Sequence, residues 1–162
     1  KWGLLTGFVY AVVQMLLGFK TVSAFFMPGS DSYMVLWKAV CVCLIDYIIA
    51  YTVLGLGGIF RNKIKNPSVS LCVGSIFALS LRYIAHIISG FIFFGTWADW
   101  FFSQDGFTLG AKILEKFSGQ GLAFLYSVIY NGLYMIPEII ITAIVALIIG
   151  RVPQISGKKN TK

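Results

Sequence analysis

The stretch SLRYIAHIISGFIFFG, residues 80–95, holds the single histidine of the chain, with an arginine one helical turn before it. It lies within an apolar run from Ser68 to Phe94, longer than the roughly 20 residues a helix needs to cross a bilayer. An ionisable side chain at the centre of such a helix costs about 2.5–3.5 kcal/mol on insertion scales, and more if left unsolvated. Arg82 and His86 are therefore expected to face protein or trapped water. Arg82, His86 and Gly90 follow one another four residues apart and Phe94 continues the row, so they form one stripe on one helix face. Two readings of that stripe stand: an Arg–acid pair with a hydrogen-bonded histidine, or a face turned to a ligand.

The rest of the chain agrees with a membrane class. Of 162 residues, 58% are hydrophobic and only 12% charged, too few polar side chains to cover a soluble domain of this size. Four apolar runs stand out, at about 2–19, 34–60, 68–94 and 122–150. The expected fold is an all-α, polytopic transmembrane helix bundle forming a single domain over 1–162. The connector RNKIKNP, residues 61–67, is short and basic and ends in a helix-stopping Asn-Pro. The connector over 95–121 carries Phe107, Leu109, Ile113, Leu114 and Phe117 at helical intervals. It reads as a short amphipathic helix at the interface, anchored by Trp97 and Trp100, and either a lid or a surface spacer.

A net charge of +7 could suggest nucleic acid, but the charges sit just outside the apolar runs, where they carry orientation. Lys1, Arg61, Lys63, Lys65, Arg151, Lys158, Lys159 and Lys162 fall on one side, against Lys20, Lys112 and Lys116 on the other. The positive-inside rule places the 61–67 connector and both chain ends in the cytoplasm of a cell membrane. Lys38, near the outer boundary, can snorkel.

Other polar groups lie at membrane depth. Asp46 sits in CVCLIDYIIAY with Tyr47 beside it and Tyr51 one turn on; it supplies the natural counter-charge, since an unpaired carboxylate there is strongly disfavoured. In LAFLYSVIYNGLYMIPE, Tyr126, Tyr130 and Tyr134 recur every fourth residue, and the Asn131 amide needs a partner. Pro137 frees a backbone carbonyl, and Glu138 is a second buried acid, with a bundle salt bridge as its plain role. A single histidine and cysteines (Cys41, Cys43, Cys72) without ligand spacing argue against a metal site and imply no cofactor. No G-x-S-x-G, H-E-x-x-H or Walker loop occurs, which leaves no ATP hydrolysis on this chain and weakens a membrane-enzyme reading against a binding or structural one. A carboxylate, imidazole, amide and phenols among aromatic rings suit a small, flat, polar ligand, and a cationic ring would be favoured.

LRYIAHIISGFIFF, preceded by IDYIIAYTVLGLGGIFR and followed by YSVIYNG, resembles the thiamine-specific substrate-binding subunit of energy-coupling-factor (ECF) transporters. That family carries a basic residue–Tyr/Phe–x–x–His–x–x–x–Gly block after an acid–Tyr block, then a Tyr–x–x–x–x–Asn block. GFVYAVVQMLLG also looks like the family's third membrane helix. The resemblance implies a binding subunit and not an enzyme, with thiamine as ligand, Asp46 and Tyr47 at its aminopyrimidine and His86 against it. It further implies that Gly90 gives room, Tyr126 and Asn131 close the site, and Tyr10 and Phe94 stand where the family usually has Trp. Arg82 either pairs with an acid or helps close the site. The implied partners are the bilayer, a transmembrane coupling subunit and two cytoplasmic ATPase subunits. Asp46 departs from the family's usual Glu, the outer connector is longer, and the family has six helices where four are counted, so a fragment lacking the first two is expected. The alternatives are a related subunit for another vitamin or a thiamine precursor, and a non-transporting helical membrane scaffold.

Overall fold

The computed structural model describes residues 1–152; Lys158, Lys159 and Lys162 of the basic tail lie outside them. It is an all-α bundle. Its helices are α1 (Trp2–Leu17), α2 (Phe19–Ala24), α3 (Leu36–Phe60), α4 (Pro67–Phe93), α5 (Ala98–Phe102), α6 (Gly110–Lys116) and α7 (Gly119–Ile149). Helices α3, α4 and α7, of 25, 27 and 31 residues, are long and apolar enough to cross a membrane. Helix α1 has 16 residues, about 24 Å of rise, somewhat less than the roughly 30 Å hydrocarbon core. It stops because the chain turns at Gly18 and restarts as α2.

The Asn66-Pro67 pair opens a helix where the sequence suggested a stop. The Asn66 carboxamide oxygen accepts from the backbone N–H of Ser68 at 3.0 Å and of Val69 at 3.3 Å. Pro67 takes the first helical position, where its missing N–H is no loss.

Burial combines apolar side chains such as Val42, Phe102, Leu122 and Met135 with polar ones, while many large aliphatic residues stay outside. The fully or nearly buried positions include Ser70, His86, Ser89, Ser127 and Asn131 beside alanines. The aliphatic residues Ile84, Ile88 and Ile92 of α4 and Ile140, Ile144 and Ile148 of α7 are exposed. A hydrocarbon solvent offers no reason to hide aliphatic side chains, and it penalises any polar group left facing it. Small residues then let backbones touch. A Cβ on Gly74 would fall on the carbonyl oxygen of Gly57, and one on Gly55 would fall on that of Gly3. The strand of chain carrying Gly55, Gly57 and Gly58 is wound as a 3₁₀ helix over Val53–Phe60, thinner than an α-helix.

Lys1 and Arg61 line one groove, and Gly150 packs on Ser68, so the 61–66 turn and both described chain ends share one end of the bundle. The other end is covered by the two longer connectors. There Ala98 and Phe102 of α5 bury against Leu122 and Tyr126 of α7, with Phe107, Ile113 and Leu114 closing over them. The 95–121 segment thus folds onto the bundle as two short helices.

Gly74→Ala is expected to lower the thermal midpoint in detergent by roughly 2–10 °C, since overpacking costs about 1–3 kcal/mol. Gly58→Ala, where a Cβ meets nothing within 4 Å, is the control and should leave it unchanged. Equal midpoints for both variants would refute the backbone contact.

Candidate ligand cavity

At the connector end, α3, α4 and α7 surround a cavity of about 590 Å³, with α2 and the segment at 94–100 completing its wall. Asp46, Tyr47, Arg82, His86, Gly90, Phe94, Tyr126 and Asn131 all line it. A local change in winding brings Asp46 and Tyr47 there together. Residues Cys43–Ile49 form a π-helix, whose wider turn rotates successive side chains less than an α-helix does. Neighbours that would diverge on an α-helix both meet the cavity, and π segments of this kind recur at functional sites. Gly18, at the break between α1 and α2, leaves space for the Tyr47 hydroxyl, which a Cβ there would approach to 2.8 Å.

The ionisable side chains form one hydrogen-bonded chain. Arg82 donates from Nη1 to Glu138 Oε1 at 2.6 Å, from Nη2 to the Tyr51 hydroxyl at 3.1 Å, and from Nε to His86 Nε2 at 3.3 Å. Its guanidinium carbon also stands 4.4 Å from the Tyr51 ring centroid, within cation–π range. The partner of Arg82 is thus Glu138 on α7, where the sequence offered Asp46. Asp46 instead takes His86 Nδ1 at 2.8 Å and the Ser89 hydroxyl at 2.7 Å. The guanidinium Nε–H is a permanent donor. Nε2 of His86 must therefore accept, which assigns the proton to Nδ1 and makes the imidazole a donor to Asp46.

Asn131 is tied mainly to the protein. Its Nδ2 donates to the carbonyls of Ser127 at 2.8 Å and His86 at 3.2 Å, while its Oδ1 accepts from the Tyr134 hydroxyl at 2.5 Å. Ser127 donates across to the Ile87 carbonyl at 2.7 Å. A Cβ on Gly90 would collide with the Ser127 hydroxyl and stand 3.1 Å from Asn131 Nδ2. Gly90 therefore lets α4 and α7 approach closely as well as lining the cavity.

Of the residues singled out in the sequence, Tyr10 lies outside this lining. It packs edge-on against Tyr51 with centroids 5.4 Å apart, and its hydroxyl accepts from Gln14 at 2.6 Å. It lines a more open groove of about 800 Å³ between α1 and α3, with the Tyr51 ring between it and Arg82. Tyr51, Trp97, Trp100, Tyr130 and Tyr134 line the cavity in addition. The Tyr spacing on α7 and the two tryptophans were visible in sequence, but nothing there said which way they turn. Ser89 was missed; its one signal is its position three residues after His86.

The arrangement can hold a ligand. The Ser89 hydroxyl donates to Asp46 and not to the imidazole, so Ser89 and His86 do not form a serine–histidine pair. Among the described residues, no group of three or more His, Cys, Asp or Glu side chains converges as a metal would require. With the imidazole uncharged, Asp46 and Glu138 against Arg82 leave the cluster one net negative charge. Aromatic walls and a volume within the roughly 300–1,000 Å³ usual for small-molecule sites complete the setting.

Comparisons with known proteins place the chain among its relatives. Over 111 residues the chain is 34% identical to the thiamine transporter ThiT of Bacillus subtilis (strain 168), an alignment covering 63% of this chain and 48% of that protein. The aligned part thus spans about half the length of that relative. No solved structure matches. The model of the family described as thiamine transporter protein (Thia_YuaJ) matches residues 1–103, which carry α1 to α5 and with them Asp46, Tyr47, Arg82, His86, Gly90 and Phe94. The match takes in well over half of the chain, and the chain belongs to the thiamine transporter family.

Proposed function

We propose that this chain is the membrane-embedded thiamine-binding subunit of an ECF-type vitamin uptake transporter. It captures thiamine from outside the cell and delivers it together with a coupling subunit and two cytoplasmic ATPase subunits. The observation that carries the reading is the cavity itself, an aromatic-walled space lined by Asp46 and Arg82, with Glu138 behind Arg82 leaving the ionisable cluster one net negative charge. Thiamine is a flat aminopyrimidine joined to a singly cationic thiazolium ring. The aminopyrimidine presents donors and acceptors to Asp46 and Tyr47, with His86 beside them, while aromatic faces at Phe94 and Tyr126 favour the cation. Family membership supports the substrate, and the resemblance of the Arg82–Gly90 block supports the ECF partnership. Energy must come from elsewhere, since no phosphate-binding loop occurs in the chain.

A second reading, a helical scaffold without a ligand, draws on one specific observation. Among the described residues, Thr52 Oγ1 is the one buried side-chain polar atom without a hydrogen-bond partner, so the cavity groups largely satisfy each other. The two readings part on ligand binding. In calorimetry on the protein, thiamine is expected to give saturable heat and pyrithiamine, which shares the aminopyrimidine edge, to compete. Riboflavin and biotin are expected to be silent. Riboflavin heat without thiamine heat would sink the substrate assignment, and no heat from any of them would favour the scaffold.

Asp46→Asn is expected to weaken thiamine more than tenfold, because a charge-assisted hydrogen bond contributes about 1.5–3 kcal/mol. The amide keeps one acceptor and turns the other into a donor facing His86 or Ser89. Asp46→Glu, which keeps the charge, is expected to retain binding. Unchanged affinity in the Asn variant would make Asp46 a purely structural group.

In intact cells, single cysteines placed at 61–66 should be labelled only from the cytoplasm, and those at 98–106 only from outside. The basic residues Arg61, Lys63 and Lys65 beside Lys1 motivate that orientation. Inverted labelling would overturn it, and with it the outward-facing cavity.

A further inference from the structure

Arg82 and Glu138 are paired at 2.6 Å, yet they belong to different spaces. Arg82 lines the 590 Å³ cavity. Glu138 does not; it lines a separate cavity of about 440 Å³ nearer the basic end, together with Ser75 and Thr142. The Arg82 side chain is 11% exposed and that of Glu138 37%, so the cation is the buried partner and the one that must find a counter-charge. Its other contacts, the Tyr51 hydroxyl and ring and His86 Nε2, are neutral. Without Glu138, the carboxylate within the same hydrogen-bonded chain is Asp46, one imidazole away.

We infer that Glu138 is a positioning residue that determines the charge class of the ligand. By holding Arg82, it keeps the guanidinium from claiming Asp46 and leaves that negative charge for a singly cationic ring. The same grip orients Arg82 Nε toward His86 Nε2, which fixes the imidazole proton on Nδ1, facing Asp46. Loss of Glu138 removes both effects: the cluster becomes neutral, and Arg82 is free to swing toward Asp46. Glu138 touches no ligand in this scheme and acts through Arg82. The inference rests on the thiamine reading for its ligand and on geometry alone for its effect on His86.

The test compares Glu138→Gln, Glu138→Asp and the double variant Arg82→Gln/Glu138→Gln with the unaltered protein. Affinity is measured for thiamine and for its isostere in which a neutral thiophene replaces the thiazolium. Glu138→Gln is expected to lose at least tenfold for thiamine and threefold or less for the isostere. Glu138→Asp and the double variant are expected to recover most of the selectivity for the cation. Equal losses for both ligands, or no loss for thiamine, would overturn the inference. A second arm needs no ligand. In ¹⁵N-histidine NMR, the resonances that vanish in His86→Gln should report an Nδ1-protonated imidazole, and Glu138→Gln should shift them toward a mixed state. A His86 signal identical with and without Glu138 would overturn the positioning role. If the unaltered protein binds neither ligand, the thiamine reading fails, and the NMR arm still decides the role of Glu138.

Discussion

A guanidinium does not surrender its proton inside a protein, so the charge of Arg82 must be met wherever α4 carries it. The structure meets it with residues from three helices at one level: Glu138 of α7, Tyr51 of α3 and His86 of α4 itself. The chain continues through His86 to Asp46 and Ser89. Removing any member obliges its neighbour to find another partner within the cluster or the cavity, since the surrounding hydrocarbon supplies none. The relative placement of the three long helices is thus tied to the need to satisfy one cation.

That constraint explains the pattern of sizes. Polar groups gather inside at Ser89, Ser127 and Asn131, while many aliphatic side chains, the isoleucines of α4 and α7 among them, are left outside. Without water to drive aliphatic burial, helix contact relies on close packing and on hydrogen bonds between helices. Glycine provides the first at Gly57, Gly74 and Gly90, where no Cβ fits without displacing a neighbour. The second runs from Ser127 to the Ile87 carbonyl, from Asn131 to the His86 carbonyl and from Tyr83 to the Val128 carbonyl. The Gly57–Gly74 contact joins α3 to α4, while Gly90 and these hydrogen bonds lie together on the α4–α7 seam.

Much of the fold was legible because hydrophobic run length and an out-of-place arginine are strong signals. Helical spacing showed that Arg82, His86 and Gly90 share a face. It could not show which helix faces them, so Asp46 was offered to Arg82 where Glu138 is the partner. Both acids satisfy the same demand, and only the packing of α7 against α4 decides between them. The π segment at Cys43–Ile49 was invisible because its side chains look like any apolar helix; it shows only in backbone hydrogen bonding. Asn66-Pro67 was ambiguous in principle, since the same pair stops one helix and caps the next. Tyr10 and Tyr51 illustrate a related limit. A ring one layer removed from the cavity and a ring on its wall have the same composition and spacing, and differ only in which stands in front.

The glycine contact between α3 and α4 also has a mechanical side. The two helices touch backbone to backbone at Gly57 and Gly74 and are held apart near the other end by Asp46, His86 and their neighbours. They form a wedge with its apex at the basic end. Measured along α4 from Gly74, His86 lies about 18 Å away and Phe94 about 30 Å. A displacement of α4 at the level of His86 is therefore magnified by roughly 1.7 at Phe94 if the helix moves as a rigid rod about that apex. The rim of that wedge is where α5 and the tryptophans lie, so a given angle between the two helices opens a wider gap there than at the level of His86.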